Sequence, residues 1–220
     1  MRIKIKSAVL VSTAMMFTAT AFAQSTPTWE LYGDYSYLQF NPALSGVQSR
    51  ALNGGGGGVQ VNFGNYFGLK GDFQGYASTQ VTFTQSAPVV NPLTSGTIPN
   101  GTYKSSFNMF TYLFGPVVGV HSKNIYVYGE FLLGGSNTSG YANLEKAIDA
   151  GGGTISVSST QHPLTMATGG GLDWRMNKGV ALRLGEVDWV STRYSNPLTN
   201  GNTQNSFRYL GGIVFTFGGQ

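Results

Sequence analysis

From Phe67 the chain alternates with a period of two. Phe67, Leu69, Gly71, Phe73, Gly75 and Ala77 fall on one face, and Gly68, Lys70, Asp72, Gln74 and Tyr76 on the other. Successive side chains of an extended strand point to opposite sides, so all the charge of this segment lies on one side of a strand. The last segment behaves alike. Phe207, Tyr209, Gly211, Ile213, Phe215 and Phe217 share a face, with Arg208, Leu210, Gly212, Val214 and Thr216 opposite. Strands that are apolar on one face must bury or solvate that face in a membrane. The alternation alone fits a soluble barrel with its apolar set inside as well as a membrane barrel with that set outside.

Composition bears on this choice. Charged residues are only 10% of the chain and aromatics 13%, whereas an ordinary water-soluble globule carries about 25% charged residues. No apolar run after residue 23 reaches the ~18 residues of a membrane helix. A closed barrel crosses a bilayer without such a run, because each strand's backbone groups are paired by its neighbours.

The N-terminus points the same way. Arg2, Lys4 and Lys6 form a basic start, Ala8 to Phe17 is a short apolar core, and Ala21-Phe22-Ala23 is a small-residue exit. This is the pattern of a cleaved secretory signal over residues 1–23, with the mature domain spanning 24–220. An uncleaved membrane helix is the competing reading, and the shortness of the apolar core speaks against it. The formal charge of +4 owes three positive charges to this segment, which leaves ten basic against nine acidic residues. So balanced a chain gives no reason to expect a nucleic-acid partner. There is no cysteine, so burial and hydrogen bonding alone must hold an exported domain together.

Eight alternating segments are expected, at 29–40, 54–64, 66–78, 103–118, 125–135, 164–176, 180–192 and 206–217. Gly64-Asn65, His121 to Asn124 and Asn177-Lys178-Gly179 supply short turns. The other connections are long and rich in Gly, Ser, Thr, Asn and Pro. The expected fold is all-β: an eight-stranded antiparallel up-and-down transmembrane β-barrel, short turns in the periplasm, long loops outside. An even strand count then puts both mature termini in the periplasm. Trp29, Tyr66, Phe67, Tyr126, Trp174, Phe215 and Phe217 are placed for an aromatic girdle at the short-turn end. Tyr76, Tyr103 and Trp189 are placed for one at the other end.

Strand seven breaks simple alternation. Continuing the phase of Val180, Leu182 and Leu184 would turn Glu186 and Asp188 into hydrocarbon, which is costly. A β-bulge at Leu184-Gly185 would restore them to the lumen beside Arg183. The expected lumen charges are Glu30, Asp34, Lys70, Asp72, Glu130, Asp173, Arg175, Arg183, Glu186, Asp188 and Arg208. Inside a narrow barrel these must pair or stay hydrated. Pairing makes a plug, and hydration makes a narrow, mildly cation-favouring path.

At this point the chain resembles the small OmpA-like outer-membrane β-barrel family. The residues concerned are the N-terminal signal, Tyr32-Gly33-Asp34-Tyr35-Ser36, Phe67 to Phe73, Gly169 to Asp173, Arg183 with Asp188, and Ile213 to Gly218. The resemblance implies residence in the outer membrane of a diderm bacterium and contact with its lipids. It also implies recognition of Phe215 and Phe217 as an assembly signal by the barrel assembly machinery. Family members commonly end on the terminal Phe, whereas Gly218, Gly219 and Gln220 follow it here.

Catalytic patterns are sparse. Gly54 to Gly58 lacks the Lys-Ser/Thr of a phosphate loop, and strand glycines more often relieve crowding. His121, Ser122 and Glu130 could be read as a hydrolytic set like that of lipid A deacylases, but two would sit in a turn and Glu130 in the lumen. Two histidines and no cysteine make a tight transition-metal site a poor reading, and no cofactor is expected. The leading expectation is a non-enzymatic barrel acting in envelope structure or through its external loops, whose partner the residues do not name. A small pore is the alternative, and a lipid A hydrolase the third reading.

Overall fold

The computed structural model describes residues 27–41, 50–85, 88–90, 97–138, 149–153, 162–193 and 203–218. The signal expected at 1–23 lies outside the described residues. The strands are β1 (Trp29–Phe40), β2 (Arg50–Phe63), β3 (Phe67–Gln85), β4 (Val89–Val90), β5 (Thr97–Ile98), β6 (Gly101–His121), β7 (Ile125–Thr138), β8 (Leu164–Arg175), β9 (Val180–Arg193) and β10 (Thr203–Phe217). Eight of them close a barrel in the order β1-β10-β9-β8-β7-β6-β3-β2, and β4 pairs only with β5. Every barrel pairing is antiparallel.

The stagger of the closure follows from the register. A row starting at Trp29 passes Val61, Leu69 and Pro116, and crosses β7 at Phe131 by continuation of the Phe114↔Leu133 and Val117↔Glu130 register. It then runs through Thr168, Trp189 and Phe207 back to β1 at Gln39, ten residues further on. Such a stagger tilts the strands by roughly 35–45° and leaves an interior that side chains can fill. At Gly64 the backbone takes φ 73°, a left-handed conformation that glycine adopts without steric cost, and this closes the tight β2–β3 turn. Pro116 interrupts the β6–β7 ladder: the register runs Phe114↔Leu133 and resumes at Val117↔Glu130. Proline has no N–H to give there.

The exterior is apolar. Leu31, Val59, Leu69, Phe114, Val118, Val127, Phe131, Leu133, Ile213 and Phe215 are all exposed on it. Trp29, Tyr66, Phe67, Trp174, Phe215 and Phe217 stand outward at the short-turn end. Tyr126, Tyr76 and Tyr103, expected in the girdles, are instead buried. Tyr76 and Tyr126 follow the phase of Lys70 and Glu130 and point into the lumen, where their bulk fills space beside glycine-rich wall. Tyr103 donates to the carbonyl of Pro99 at 2.9 Å.

Several strands outrun the sequence expectation: β2 begins at Arg50, β7 ends at Thr138, β10 begins at Thr203, and β3 departs furthest. β3 continues to Gln85 and β6 begins at Gly101, so this pair stands taller than the rest of the wall. The bulge on β9 is present. Across to β8, Gly185 pairs with Leu172 and Arg183 with Asp173, leaving Leu184 extra. Across to β10, the register jumps from Leu210↔Glu186 to Gly212↔Arg183. Leu184 and Val187 point outward while Arg183, Glu186 and Asp188 are buried.

Candidate functional site

The lumen divides into two parts along the barrel axis. The part toward the short turns, reaching mid-barrel, holds the charges. Alternation turns Asp34 of β1, Lys70 and Asp72 of β3, Glu130 of β7, Asp173 of β8, Arg183, Glu186 and Asp188 of β9, and Arg208 of β10 inward. Three cations tie these six carboxylates together. Lys70 Nζ lies 2.7 Å from both Glu130 Oε2 and Glu186 Oε2. Arg183 reaches Asp173 Oδ1 at 3.1 Å, Glu186 Oε2 at 2.9 Å and Asp34 Oδ2 at 3.9 Å. Arg208 meets Asp72 Oδ2 at 2.5 Å and Asp188 Oδ2 at 2.6 Å. The three cations are at most 2% exposed, so bulk water does not screen these pairs.

Carboxylates outnumber buried cations, and neutral donors serve the excess. Gln74 Nε2 donates to Asp34 at 2.8 Å and to Asp72 at 3.1 Å. Tyr32 donates to Asp72 Oδ1 at 3.1 Å, and Tyr128 donates to Glu186. Asn62 Nδ2 donates to Glu30 Oε1 at 3.0 Å. The two phenols also form walls for the cations. Lys70 Nζ is 5.0 and 5.4 Å from the Tyr32 and Tyr128 ring centres, and Arg183 Cζ is 4.3 and 5.4 Å from them. Aromatic faces attract cations electrostatically, more so when desolvated.

Glycine makes the phenols' paths possible. Tyr32 pairs with Gly58 and Tyr128 with Gly171 across neighbouring strands. A Cβ on Gly171 would lie 2.5 Å from the Tyr128 hydroxyl, and one on Gly58 would run into that of Tyr32. The Gly54 to Gly58 run is therefore strand, with Gly58 leaving room for a side chain that crosses it.

The part toward the long connections is apolar. Leu38, Phe40, Leu52, Tyr76, Met109, Leu113, Leu132, Ala167 and Val190 form one buried cluster there. Hydroxyls fringe it: Ser36 bonds Tyr76 at 2.9 Å, and Thr165 bonds Ser136 at 3.1 Å. Sequence reasoning missed this plug, although each member shares the inward phase of its strand's polar residues. It also missed Tyr32 and Tyr128, for which that phase was again the available signal.

Two residues expected in the charge network stand apart from its ion pairs. Arg175 is half-buried at the end of β8 and makes no ion pair among the described residues. The carboxylate of Glu30 is held by Asn62 rather than by a cation. Glu130, Glu186 and Asp188 each bring an oxygen within 4.8 Å of the others, a spacing open to a metal ion. Arg208 Nη2 lies 3.7 Å from Glu186 Oε1, 4.0 Å from Glu130 Oε1 and 2.6 Å from Asp188 Oδ2. The guanidinium thus supplies the positive charge at this point, and a metal beside it would be repelled.

The hydrolytic set does not assemble. His121 stacks on the Tyr126 ring with centres 3.9 Å apart, Ser122 lies in the following turn, and Glu130 is bound to Lys70 inside the barrel. His162 is exposed ahead of β8.

A closed antiparallel barrel, apolar and aromatic outside and ion-paired inside, defines a membrane-spanning barrel of the outer-membrane class. The chain belongs to the outer membrane protein beta-barrel domain family, whose profile matches residues 9–218. Among solved structures it is similar to Neisserial surface protein A (10% identity, TM-score 0.57), covering 86% of this chain and 97% of that one. It is also similar to OprG from Pseudomonas aeruginosa (12% identity, TM-score 0.58; 88% and 97% covered). The attachment invasion locus protein Ail of Yersinia pestis aligns at 13% identity and TM-score 0.45, over 88% of this chain and 99% of that one. Comparison with curated proteins gives no match. The first two likenesses concern the fold: small outer-membrane barrels of eight strands. Family membership places the chain in the outer membrane.

Proposed function

We propose that this is a non-enzymatic barrel with a closed lumen, acting in envelope structure or through its external connections. The observation that supports this is the apolar cluster stacked on the ion-pair network. Leu52, Leu113 and Leu132 are at most 1% exposed, and a hydrated path through them would have to part close-packed side chains. In the same reading residues 1–23 are removed on export, and both mature ends and the short turns face the periplasm. Phe215 and Phe217, exposed on the outer face of β10, are the assembly signal, so Phe217→Asp is expected to insert poorly in cells. Normal insertion of that variant would remove this element.

The test of the closed lumen is conductance in planar bilayers. Purified barrel is expected to give no steady unitary openings, while Leu52→Ser/Leu132→Ser is expected to give measurable leak. Steady openings by the unaltered chain would establish the pore reading instead. The pore reading draws on the polar half of the lumen, whose acids outnumber its cations.

A further inference from the structure

We infer that an outer-leaflet glycolipid docks on the barrel wall across β2, β3, β6 and β7, its acylated amino-sugar headgroup held by Asn53, Asn108 and Asn137. The inference rests on the orientation given under the proposed function, with the long connections outside. A groove of ≈ 510 Å³ lies here on the exterior, with Gly75 and Ala77 in its floor and Phe110 beside the asparagines. Asn53, Ala77 and Asn108 stand in one register row across three strands, and Asn137 pairs with Phe110 one strand further. Asn53 and Asn108 are thus two strand spacings apart, about 10 Å.

The level of the groove identifies its occupant. On β2 the outward residues run Phe63, Val61, Val59, Gly57, Gly55 and then Asn53. On β6 they run Val120, Val118, Pro116, Phe114, Tyr112, Phe110 and then Asn108. On β7 they run Ile125, Val127, Gly129, Phe131, Leu133, Gly135 and then Asn137. Each face is free of charge and reaches asparagine at the same end. A strand tilted by roughly 40° climbs about 2.5 Å per residue, so these runs span about 25–30 Å, the height of the apolar band. The asparagines therefore stand where acyl chains give way to headgroups.

Their chemistry narrows the class. Tyr35 donates to Asn53 Oδ1 at 2.6 Å, which turns the amide nitrogen of Asn53 to the groove as a donor. Asparagine amides both donate and accept, which matches the amide, ester and hydroxyl groups that an acylated amino sugar presents side by side. Lys104, exposed four residues beyond Asn108 on the same face of β6, can meet a phosphate on that sugar. The small floor of Gly75 and Ala77 leaves the dent that an acyl chain enters.

The experiment is native mass spectrometry of the detergent-purified barrel titrated with lipid A or with phosphatidylethanolamine. Lipid A is expected to be retained in preference. Asn53→Leu/Asn108→Leu/Asn137→Leu is expected to lower its retention about tenfold, the loss of two or three modest hydrogen bonds. These side chains face away from the lumen, so the variant should keep its barrel circular dichroism. If it does not fold, Lys104→Gln alone should still weaken lipid A retention. Equal retention of both lipids, or undiminished lipid A on the folded variants, would overturn the inference. Orientation is read separately, by labelling Lys123→Cys on whole cells. Labelling from outside would sink the orientation, whereas the retention measurement in detergent does not depend on it.

Discussion

The two halves of the lumen are equally dry but are filled by opposite chemistry. Toward the short turns, Arg208, Asp188 and Glu186 are at most 1% exposed and touch partners of opposite charge. Toward the long connections, Leu38, Leu52 and Leu132 are as deeply buried and touch one another. An apolar plug gains from burial directly and loses in proportion to the side chain removed. An ion-pair network first incurs the cost of desolvation, which mutual attraction and hydrogen bonds then offset. The network's net contribution is small, yet loss of one member is severe, because the partners stay buried without their counter-charge.

That asymmetry can be tested by reversible urea titration of barrels folded in lipid. The largest loss is expected from Arg208→Met, which strands Asp72 and Asp188 and should cost about 3–5 kcal/mol. Little loss would mean that the charged half is hydrated, and the contrast between the halves would disappear. Leu132→Ala should cost about 2–4 kcal/mol, the usual range for a cavity in a packed core. A loss near zero would show that the upper half is loosely filled. The smallest change is expected for Tyr32→Phe, which removes one hydroxyl from Asp72 and keeps the ring against Arg183. Its cost should be about 1–2 kcal/mol. A larger one would make the phenol as important to the network as a cation.

Most of the wall was legible because strand periodicity is local. Phe67 to Ala77 declares its two faces with no knowledge of neighbours, and the bulge was legible for the same reason. Glu186 and Asp188 could not follow Leu184 into hydrocarbon, so the phase had to slip at Gly185. Strand ends were less legible where the bilayer stops acting on the sequence. After Ala77 the polar run Ser78-Thr79-Gln80 interrupts the apolar phase of β3, so its continuation to Gln85 could not be read from the alternation. Tyr126 and Tyr76 were misplaced because a tyrosine suits both an interfacial girdle and a lumen, and nearness to a strand end does not separate the two. Phase does, since both follow the inward charges. Pairing across the lumen lay out of reach. Whether Lys70 meets Glu130, or Arg175 meets no acid among the described residues, depends on register and on side-chain reach across the barrel.

Arg208 has a consequence for the time order of folding. It arrives on β10, the last strand in the chain, and bonds Asp72 on β3, which is 136 residues earlier. Until β10 docks, Asp72 and Asp188 face each other across an open sheet with no guanidinium between them. A sheet that lacks the final strand keeps the hydrogen bonds of Tyr32 and Gln74 to Asp72 but not the counter-charge, which disfavours drying of its interior. Once Arg208 enters, leaving requires pulling a charge out of a dry interior, which is slow. The guanidinium acts as a ratchet on the seam, making arrival of the last strand the step that renders a partly built sheet permanent.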